Sequence, residues 1–211
     1  VEGVDGRRLV RSHPSAWAHR MHTDEIADLP HPEGAIGCLL GHYAAHRRAA
    51  DLGLETYLVL EDDVVFRSHM GALFRQAVRQ LPAQWDMIYL GYNPYFRPSH
   101  DCQRHRRADS PCAAASGVRA VCRATGGLVD AHAIGFHARA RAWLLPMLTS
   151  ADRLGSRLMP YDLELRASIE RNQNSVHAYA VLPAPMVVQN KSLGSDIYVE
   201  GMYAPDAPAG S

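Results

Sequence analysis

The sequence lacks any run of about eighteen consecutive apolar residues, the length that a helix needs to cross a bilayer. It also lacks net charge, because Lys and Arg together number 22 and Asp and Glu together number 22. This balance excludes a uniformly basic surface for nucleic acid or an anionic membrane, so any attraction for phosphate has to be local. The Arg-rich stretch over residues 92–125 contains few aromatic residues, which argues further against a nucleic-acid interface there.

Cysteine is also sparse, and its spacing is not that of a zinc site. The chain has four cysteines, namely Cys38, Cys102, Cys112 and Cys122. The last three lie at regular intervals much longer than the two to four residues, roughly, that separate paired zinc ligands. Free thiols, or one disulfide in an oxidising compartment, explain them better than a bound metal.

The chain has enough apolar residues to form a hydrophobic core. Its 211 residues are 47% hydrophobic and 21% charged, which is ordinary for one globular domain. We expect this domain to span residues 1–202 and the Ala-, Pro- and Gly-rich residues 203–211 to form a flexible tail. The first ten residues contain no apolar segment of signal-peptide type, and we expect the sequence to open within a domain.

Helical and strand-like patterns alternate along the chain. Apolar spacing predicts helices over residues 35–51, 71–81, 137–148 and 161–171, with Pro146 favouring an early end for the third. Continuous apolar runs predict strands over residues 56–60, 85–91, 128–136, 176–182 and 186–188, and residues 92–125 are predicted to be a long loop. This alternation predicts an α/β fold with a largely parallel sheet, in which residues 56–60 are a central strand buried on both faces.

Three acids directly follow the first predicted strand. Glu61, Asp62 and Asp63 repel one another, so they need either a cation or full solvation. Ligand sites of open α/β sheets lie beyond the carboxyl ends of strands. The alternation of a strand places Glu61 and Asp63 on one side and Asp62 on the other. Because carboxylate oxygens suit Mg²⁺ or Mn²⁺, the run is either a site for such an ion or a solvated turn.

Six segments, in order, resemble motifs of glycosyltransferase family 25, which includes lipopolysaccharide sugar transferases and collagen galactosyltransferases. Residues 33–42 are similar to the family's "E-x-G-C-x-x-S-H" helix, with Gly41 where serine is usual. Residues 58–66 are similar to its strand and acidic motif, and residues 85–91 to its "W-D-x-x-x-L-G" strand. The remaining matches are residues 130–136 with the helix after them, residues 160–162, and Gln189 with residues 195–197.

The resemblance implies a GT-A type, Rossmann-like nucleotide-diphospho-sugar transferase fold. It also implies transfer of a sugar, usually galactose from UDP-galactose, to a glycan or protein hydroxyl with inversion and with Mn²⁺ or Mg²⁺. Family members normally open with a strand of the type "I-N-L-x-R-R-x-D-R", whereas residues 1–9 resemble the "A-V-D-G-x-x-L" segment that follows it. We therefore expect this chain to lack the first strand of the fold.

The resemblance and the chemistry of transfer suggest roles for individual residues. Glu61 and Asp63 are the predicted metal ligands, and Asp62 either joins them or contacts the donor ribose. An inverting transfer needs a base for the acceptor hydroxyl, and a carboxylate with a raised pKa suits that task. Asp162 is the first candidate for this base and Asp130 the second. The alternative role for Asp162 is an acid that complements the dipole of its helix.

Other polar residues are weaker candidates for the donor site. His132 is expected either to contact the donor or acceptor or to be a core residue, and Gln189 or His177 to complete the metal or phosphate site. The arginines of the long loop, Arg104, Arg106 and Arg107, either steer a diphosphate or are a solvated charge run. His42 and His46 share one helix at a spacing that can bind zinc, but packing explains them as well.

Two alternative functions follow from the same residues. A non-catalytic relative of the family would act as a binding or scaffold protein. A metal-dependent hydrolase would use the three acids differently, but it needs further His or Asp ligands at motif spacing, and the sequence does not supply them.

Overall fold

The computed structural model describes residues 1–14, 31–68, 70–92, 120–124, 128–130, 132–149, 160–181 and 185–190. The helices are α1 Gly6–Ser12, α2 Pro32–Asp51, α3 Met70–Gln80, α4 Arg141–Thr149 and α5 Tyr161–Arg171, with a short 3₁₀ helix Ala138–Ala140 before α4. The strands are β1 Thr56–Leu60, β2 Val64–Phe66, β3 Met87–Gly91, β4 Val121–Arg123, β5 Ala133–His137, β6 Ala178–Val181 and β7 Val187–Gln189. The predictions for Cys102, Cys112, the loop arginines Arg104, Arg106 and Arg107, and the tail 203–211 lie outside these residues.

Most predicted elements are present, with shifted ends. Helix α5 has the predicted bounds, and α2 begins earlier than predicted because Pro32 occupies its first turn, where a missing N–H costs nothing. Two expectations are wrong. Helix α4 does not end early but runs through Pro146, and both Pro146 and Ala142, the residue whose carbonyl an amide at position 146 would otherwise bond, are exposed. Strand β4 lies within the predicted loop, where a strand of three residues is too short to show a pattern.

The main sheet of the described residues has five strands in the order β1-β5-β3-β6-β4. Strand β5 runs antiparallel to both β1 and β3, β4 runs antiparallel to β6, and only β3 and β6 are parallel. The prediction of a largely parallel sheet is therefore wrong, although the α/β class is confirmed. Alternating helices and strands could not reveal this, because β5 inserts between two strands that precede it in sequence.

Strand β1 is an edge strand of this sheet, not the buried central strand that its apolar sequence predicts. Its only neighbour among the described residues is β5. Its exposure alternates, with Leu58 and Leu60 43% and 39% exposed while Tyr57 and Val59 pack against the core. A strand that is covered on one face needs apolar residues only at every second position. The continuous aliphatic run of β1 therefore predicted more burial than the strand has.

The core is centred on β3, whose five residues are all buried, as predicted for this segment. Strands β5 and β6 flank it and are almost as fully buried. The largest fully buried side chains of the core are Tyr89, Tyr161, Phe136, Ile36, Met87, Ile88, Leu90, Leu128, Ile134, Leu144 and Leu165. Helix α2 packs against α1, α4 and α5, so it is the helix that connects the start of the chain with the rest of the domain.

Two glycines allow α1 to approach α2 closely. A Cβ atom on Gly37 would lie 2.6 Å from the carbonyl oxygen of Val4, and one on Gly6 would collide with the Glu33 carbonyl. Asp5 caps α1 by accepting a hydrogen bond from the amide of Arg8 at 2.9 Å. The glycine of the "G-C" motif is thus explained by helix packing.

The end of the sheet where β3 begins is tied together by Asp86. The carboxylate of Asp86 accepts a hydrogen bond from the amide of His177 at 2.7 Å and pairs with Arg139 at 3.6 Å. His177 in turn bonds the carbonyl of Gln84 through its ring at 2.7 Å. The "W-D" motif and His177 therefore stabilise the end of the sheet opposite to the three acids, and His177 does not join them.

Among the described residues, none of the helices is both long and apolar enough to cross a membrane. Cys122 is disulfide-bonded and Cys38 is a free cysteine of intermediate exposure.

Candidate functional site

Three strand ends meet beside the acid run. Leu60 at the end of β1 and Gly91 at the end of β3 both pair with Ala133 at the start of β5. The amide of Glu61 donates a hydrogen bond to the carbonyl of His132 at 3.0 Å. Because β5 is antiparallel to its neighbours, the residues before β5 and those after β1 and β3 lie at the same end of the sheet.

A small second sheet of the described residues supports the acid run from the other direction. Strand β2 pairs antiparallel with β7, in a register that places Val64 opposite Gln189. The carbonyl of Asp63 accepts a hydrogen bond from the amide of Asn190 at 2.6 Å. The short turn that carries the acids is therefore fixed at both ends by backbone hydrogen bonds.

Glu61 is held by two side chains from distant parts of the sequence. Gln189 donates a hydrogen bond to its Oε2 atom at 3.0 Å, and His42 Nε2 lies 3.5 Å from its Oε1 atom. Burial raises the pKa of Glu61, but the hydrogen bond and charge of His42, helped by His132 and Gln189, outweigh it and lower the pKa below its ordinary value. Glu61 is thus a carboxylate kept ionised in a partly buried position.

Asp63 lies in the opposite electrostatic situation. Burial, together with the negative charges of Glu61 and Asp62, raises its pKa above the ordinary value. Its Oδ1 atom is buried and accepts no hydrogen bond from the described residues. An unpaired carboxylate oxygen beside a second carboxylate is electrostatically unfavourable, and a cation or a hydrogen-bond donor would relieve it.

Asp62 lies between these two acids in sequence but differs from both in exposure. It is exposed, whereas Glu61 and Asp63 are partly buried, which agrees with the alternation expected at the end of a strand. Asp62 is therefore the acid of the three that solvent or a bound molecule reaches most freely.

His132 is a buried residue at the same end of the sheet. It is 4% exposed, and its Nε2 atom bonds the carbonyl of Val187 at 3.1 Å. A Cβ atom at position 91 would collide with the imidazole, so glycine at the end of β3 makes room for it. The ring therefore links β5 to β7, while its Nδ1 atom has no partner among the described residues.

Asp162 lies in the first turn of α5 and contacts the segment that carries Asp130. Its Oδ2 atom accepts a hydrogen bond from the amide of Asp130 at 3.1 Å, and its Oδ1 atom accepts one from the amide of Leu163 at 2.9 Å. Burial raises the pKa of Asp162 and the charge of Glu61 adds to this, while the amide hydrogen bonds oppose it. The structure thus brings the two candidate bases together and couples Asp162 to Glu61.

The backbone of Asp130 has φ 59°, in the left-handed region that residues other than glycine rarely adopt. Its amide hydrogen bond to Asp162 holds this conformation. Asp162 therefore has a structural contact in addition to any chemical role.

A buried hydrogen-bonded network lies behind Glu61. His46 is fully buried, and its ring bonds the hydroxyl of Tyr57 through Nδ1 at 3.1 Å and that of Tyr161 through Nε2 at 3.0 Å. The ring of Tyr161 stacks on His42, with centroids 3.8 Å apart and planes 9° apart. Through this stack, the network fixes the imidazole that faces Glu61.

The buried position of His46 predicts a pH dependence of stability. Burial and the nearby His42 lower the pKa of His46 from its ordinary 6.5 to about 3. The unfolded chain therefore takes up a proton below about pH 6.5 that the folded protein refuses, so stability is complete above that pH and falls towards pH 3. The slope from this one group reaches about 1.4 kcal/mol per pH unit.

Urea unfolding at a series of pH values measures this slope. We expect H46Q to be less stable at neutral pH but to lose less stability on acidification than the wild type. The exposed His13 supplies the control, since H13Q should keep the wild-type pH dependence. Equal slopes for H46Q and the wild type would contradict the assignment.

The sequence did not single out Cys38 and His42 as part of this site. Both lie on α2 at positions i and i+4, which places them on one face of the helix. One ligand atom each from Cys38, His42 and Glu61 lie within 4.8 Å of one another. The signal was present in the "E-x-G-C-x-x-S-H" resemblance, which contains both residues.

Comparison with known proteins addresses the resemblance directly. Residues 9–107 match "Glycosyltransferase family 25 (LPS biosynthesis protein)". The predicted family resemblance is therefore confirmed over these residues. They include the end of α1 and the elements from α2 to β3, with Glu61, Asp62 and Asp63, whereas Asp130, His132, Asp162 and Gln189 lie beyond them.

Curated relatives of family 25 align over a similar length. Mouse "Procollagen galactosyltransferase 2" is 33% identical over 97 residues, and its human counterpart is 34% identical over the same length. A bovine "Probable inactive glycosyltransferase 25 family member 3" is 32% identical over 97 residues. Each alignment covers 43% of this chain and 16% of the relative, so the aligned part is about a sixth of the relatives' length.

The similarity therefore supports glycosyltransferase chemistry in a broad sense. The relatives comprise proteins named as galactosyltransferases and three named as inactive or probably inactive, at similar identity. Sequence identity alone does not separate these two outcomes, and the arrangement of side chains around Glu61 is what bears on them.

Proposed function

We propose that this protein transfers a sugar, with galactose as the expected one, from a UDP-sugar to a glycan or protein hydroxyl. The observation that carries the proposal is the pair Glu61 and Asp63, fixed at the end of β1 within the residues that match family 25. Three further candidates, His132, Gln189 and Asp162, contact this pair or are electrostatically coupled to it. We assign this role to residues 1–202 as one GT-A type, Rossmann-like domain.

The acid pair fits a hard divalent cation. Among the described residues, none donates a hydrogen bond to the buried Oδ1 atom of Asp63, and burial together with the neighbouring charges raises its pKa, so a cation here would stabilise the carboxylate. Asp63 and Glu61 would hold Mn²⁺ or Mg²⁺, which prefer oxygen ligands. When bound, such an ion neutralises charge on the diphosphate leaving group.

The side chains around the pair have separate tasks in this proposal. Gln189 and His42 orient Glu61 and keep it ionised. His132 holds β7 against β5 and so positions Gln189, the last residue of β7. Asp62 is exposed and is our candidate for the donor ribose.

Asp162 is the proposed base for the acceptor hydroxyl. Its raised pKa makes it a stronger proton acceptor than an ordinary aspartate, and its two amide hydrogen bonds leave lone pairs for a hydroxyl. Asp130, whose backbone amide donates one of these hydrogen bonds, remains the second candidate for the base. We expect the transfer to invert the configuration of the anomeric carbon, which the configuration of the product would show.

A non-catalytic role is the second candidate function. The observation that favours it is the presence of a relative named as probably inactive at 32% identity. In that case the acid pair would bind a nucleotide or ion without turnover, and the domain would act as a binding or scaffold protein.

Turnover of UDP-sugars separates the two functions. We expect the protein with Mn²⁺ to release UDP from UDP-galactose faster than from UDP-glucose or UDP-N-acetylglucosamine, and faster still with a suitable acceptor. Release of UDP that is independent of metal, or no release from any UDP-sugar despite nucleotide binding, would contradict a metal-assisted transferase. The second of these results would support the non-catalytic alternative.

A further inference from the structure

Helix α2 places two further ligand atoms beside Glu61, and the proposed transfer reaction uses His42 only to orient this carboxylate and does not use Cys38. Cys38 and His42 lie one helical turn apart and face the same carboxylate. Cys38 is a free thiol. The acid run itself offers only carboxylate side chains, so the sulfur and nitrogen ligands come from α2. The group therefore combines a thiol, an imidazole and a carboxylate.

The separation of His42 and Glu61 matches that of two neighbouring ligands of a tetrahedral ion. Ligand bonds of about 2.0 Å to nitrogen or oxygen and 2.3 Å to sulfur place neighbouring ligand atoms roughly 3.3 to 3.6 Å apart. His42 Nε2 and Glu61 Oε1 are 3.5 Å apart, longer than most hydrogen bonds between nitrogen and oxygen. All three ligand atoms lie within 4.8 Å of one another, so side-chain shifts of about 1 Å bring them to the spacing that a tetrahedral ion requires.

The surroundings hold these ligands in place. His42 is 6% exposed, and its ring is fixed by the stack on Tyr161. Its Nε2 atom faces Glu61, and its Nδ1 atom is buried without a partner among the described residues. Glu61 is oriented by Gln189 from the opposite side, which leaves Oε1 directed to the helix.

We propose that Cys38, His42 and Glu61 form a binding site for one zinc-class divalent ion. Thiolate and imidazole ligands select Zn²⁺ and similar ions over Mg²⁺ and Mn²⁺, which prefer oxygen. Three protein ligands leave a fourth position for water or another molecule, as in zinc sites that are not purely structural. The thiol loses its proton when the ion binds.

The proposed site shares Glu61 with the proposed donor-metal pair but does not depend on it. If Asp63 and Glu61 hold Mn²⁺ during transfer, a zinc-class ion on Cys38 and His42 competes for the Glu61 carboxylate. This consequence rests on the proposed function, whereas direct ion binding by the three ligands does not. Binding is therefore measured without any sugar donor.

Cobalt substitution tests the site with a signal that only a thiolate ligand gives. Co²⁺ added to chelator-treated protein should produce a thiolate-to-cobalt charge-transfer band in the near ultraviolet and the strong visible bands of four-coordinate cobalt. One equivalent of Zn²⁺ should remove both, and a large excess of Mg²⁺ should not. We expect C38S to lose the charge-transfer band and to bind Zn²⁺ at least about tenfold more weakly.

Matched variants separate this site from unspecific binding by histidines. H42Q should weaken Zn²⁺ binding as much as C38S does, whereas H13Q, which removes an exposed imidazole directly after α1, should leave it unchanged. D63N should also keep the cobalt spectrum, because Asp63 is not one of the three ligands. None of these measurements involves transfer activity, so the zinc proposal would stand even if the protein proved not to be a transferase.

Alkylation of the wild-type protein keeps the proposal testable if a variant does not fold. Zn²⁺ should protect Cys38 from a thiol reagent, as measured by peptide mass spectrometry, and Mg²⁺ should not. A missing charge-transfer band, a band that survives in C38S, or equal alkylation of Cys38 with and without Zn²⁺ would overturn the proposal.

Discussion

Replacement of Asp63 by asparagine should lower metal-dependent turnover of the UDP-sugar by at least about 100-fold, the typical cost of one group that stabilises developing charge. Asparagine keeps the size of the side chain but removes the negative charge that would hold the ion. Because the charges of Glu61 and Asp62 repel Asp63 in the metal-free protein, the same change should leave its stability unchanged or raise it. Loss of activity would then not be a loss of folding.

Two measurements distinguish these effects. Initial rates of UDP release across a Mn²⁺ titration report the activity, and thermal unfolding with and without Mn²⁺ reports folding and ion binding. Mn²⁺ should raise the melting temperature of the wild type but not of D63N. The matched control is E55Q, which removes an exposed acid just before β1 instead of just after it. Wild-type rates in D63N would show that Asp63 holds no required ion.

Replacement of Asp162 by asparagine should lower kcat by about 100- to 10,000-fold, the range expected for loss of a general base. Asparagine retains an oxygen that can accept the hydrogen bond from the Asp130 amide, so the left-handed turn at Asp130 should persist. Because asparagine has only one carbonyl oxygen, the hydrogen bond from the Leu163 amide is lost, so the melting temperature should fall only slightly while UDP affinity stays near that of the wild type. The effect should appear in kcat and in the acid limb of the pH–rate profile.

Asp162 also has a structural contact, and D162A is the variant that removes it. If Asp162 only positions the segment of Asp130, D162A should lose both stability and activity while D162N keeps both. If Asp162 is the base, both variants should lose activity and only D162A should lose stability. An active D162N would move the assignment to Asp130, for which D130N supplies the corresponding test.

The sequence predicted the local elements of the fold better than their arrangement. Helix α5 and strand β3 follow from their own residues, because helical periodicity and continuous apolar runs are local signals. The insertion of β5 between β1 and β3 depends on contacts between residues far apart in sequence. Aliphatic residues in β1 do not reveal whether a strand has neighbours on one side or on both, so its edge position could not be predicted.

The sequence predicted a site at the acid run because the three acids are consecutive, but it did not predict which side chains contact Glu61. Glu61, Asp62 and Asp63 are consecutive, and the position after a strand indicated a ligand site. The contacts of Glu61 with His42 and Gln189 join residues that are 19 and 128 positions away, as the sequence numbers show. Only packing of α2 and pairing of β2 with β7 bring these side chains together.

The roles of His42 and His46 show a further limit of sequence patterns. Their spacing placed both on one face of α2, and packing was one of the explanations considered. The structure buries both, with His46 between two tyrosine hydroxyls and His42 facing Glu61. The same helical spacing thus gives one residue of the buried network and one residue of the site.

Calorimetric titration of UDP into the protein, with and without Mn²⁺, tests the central claim most directly. The claim is that Glu61 and Asp63 at the end of β1 hold a divalent ion to which the diphosphate of the donor binds. We predict measurable UDP binding by the wild type with Mn²⁺, at least about tenfold weaker binding without it, and no effect of Mn²⁺ in D63N. UDP binding that is equally strong with and without Mn²⁺, or unchanged in D63N, would contradict the account.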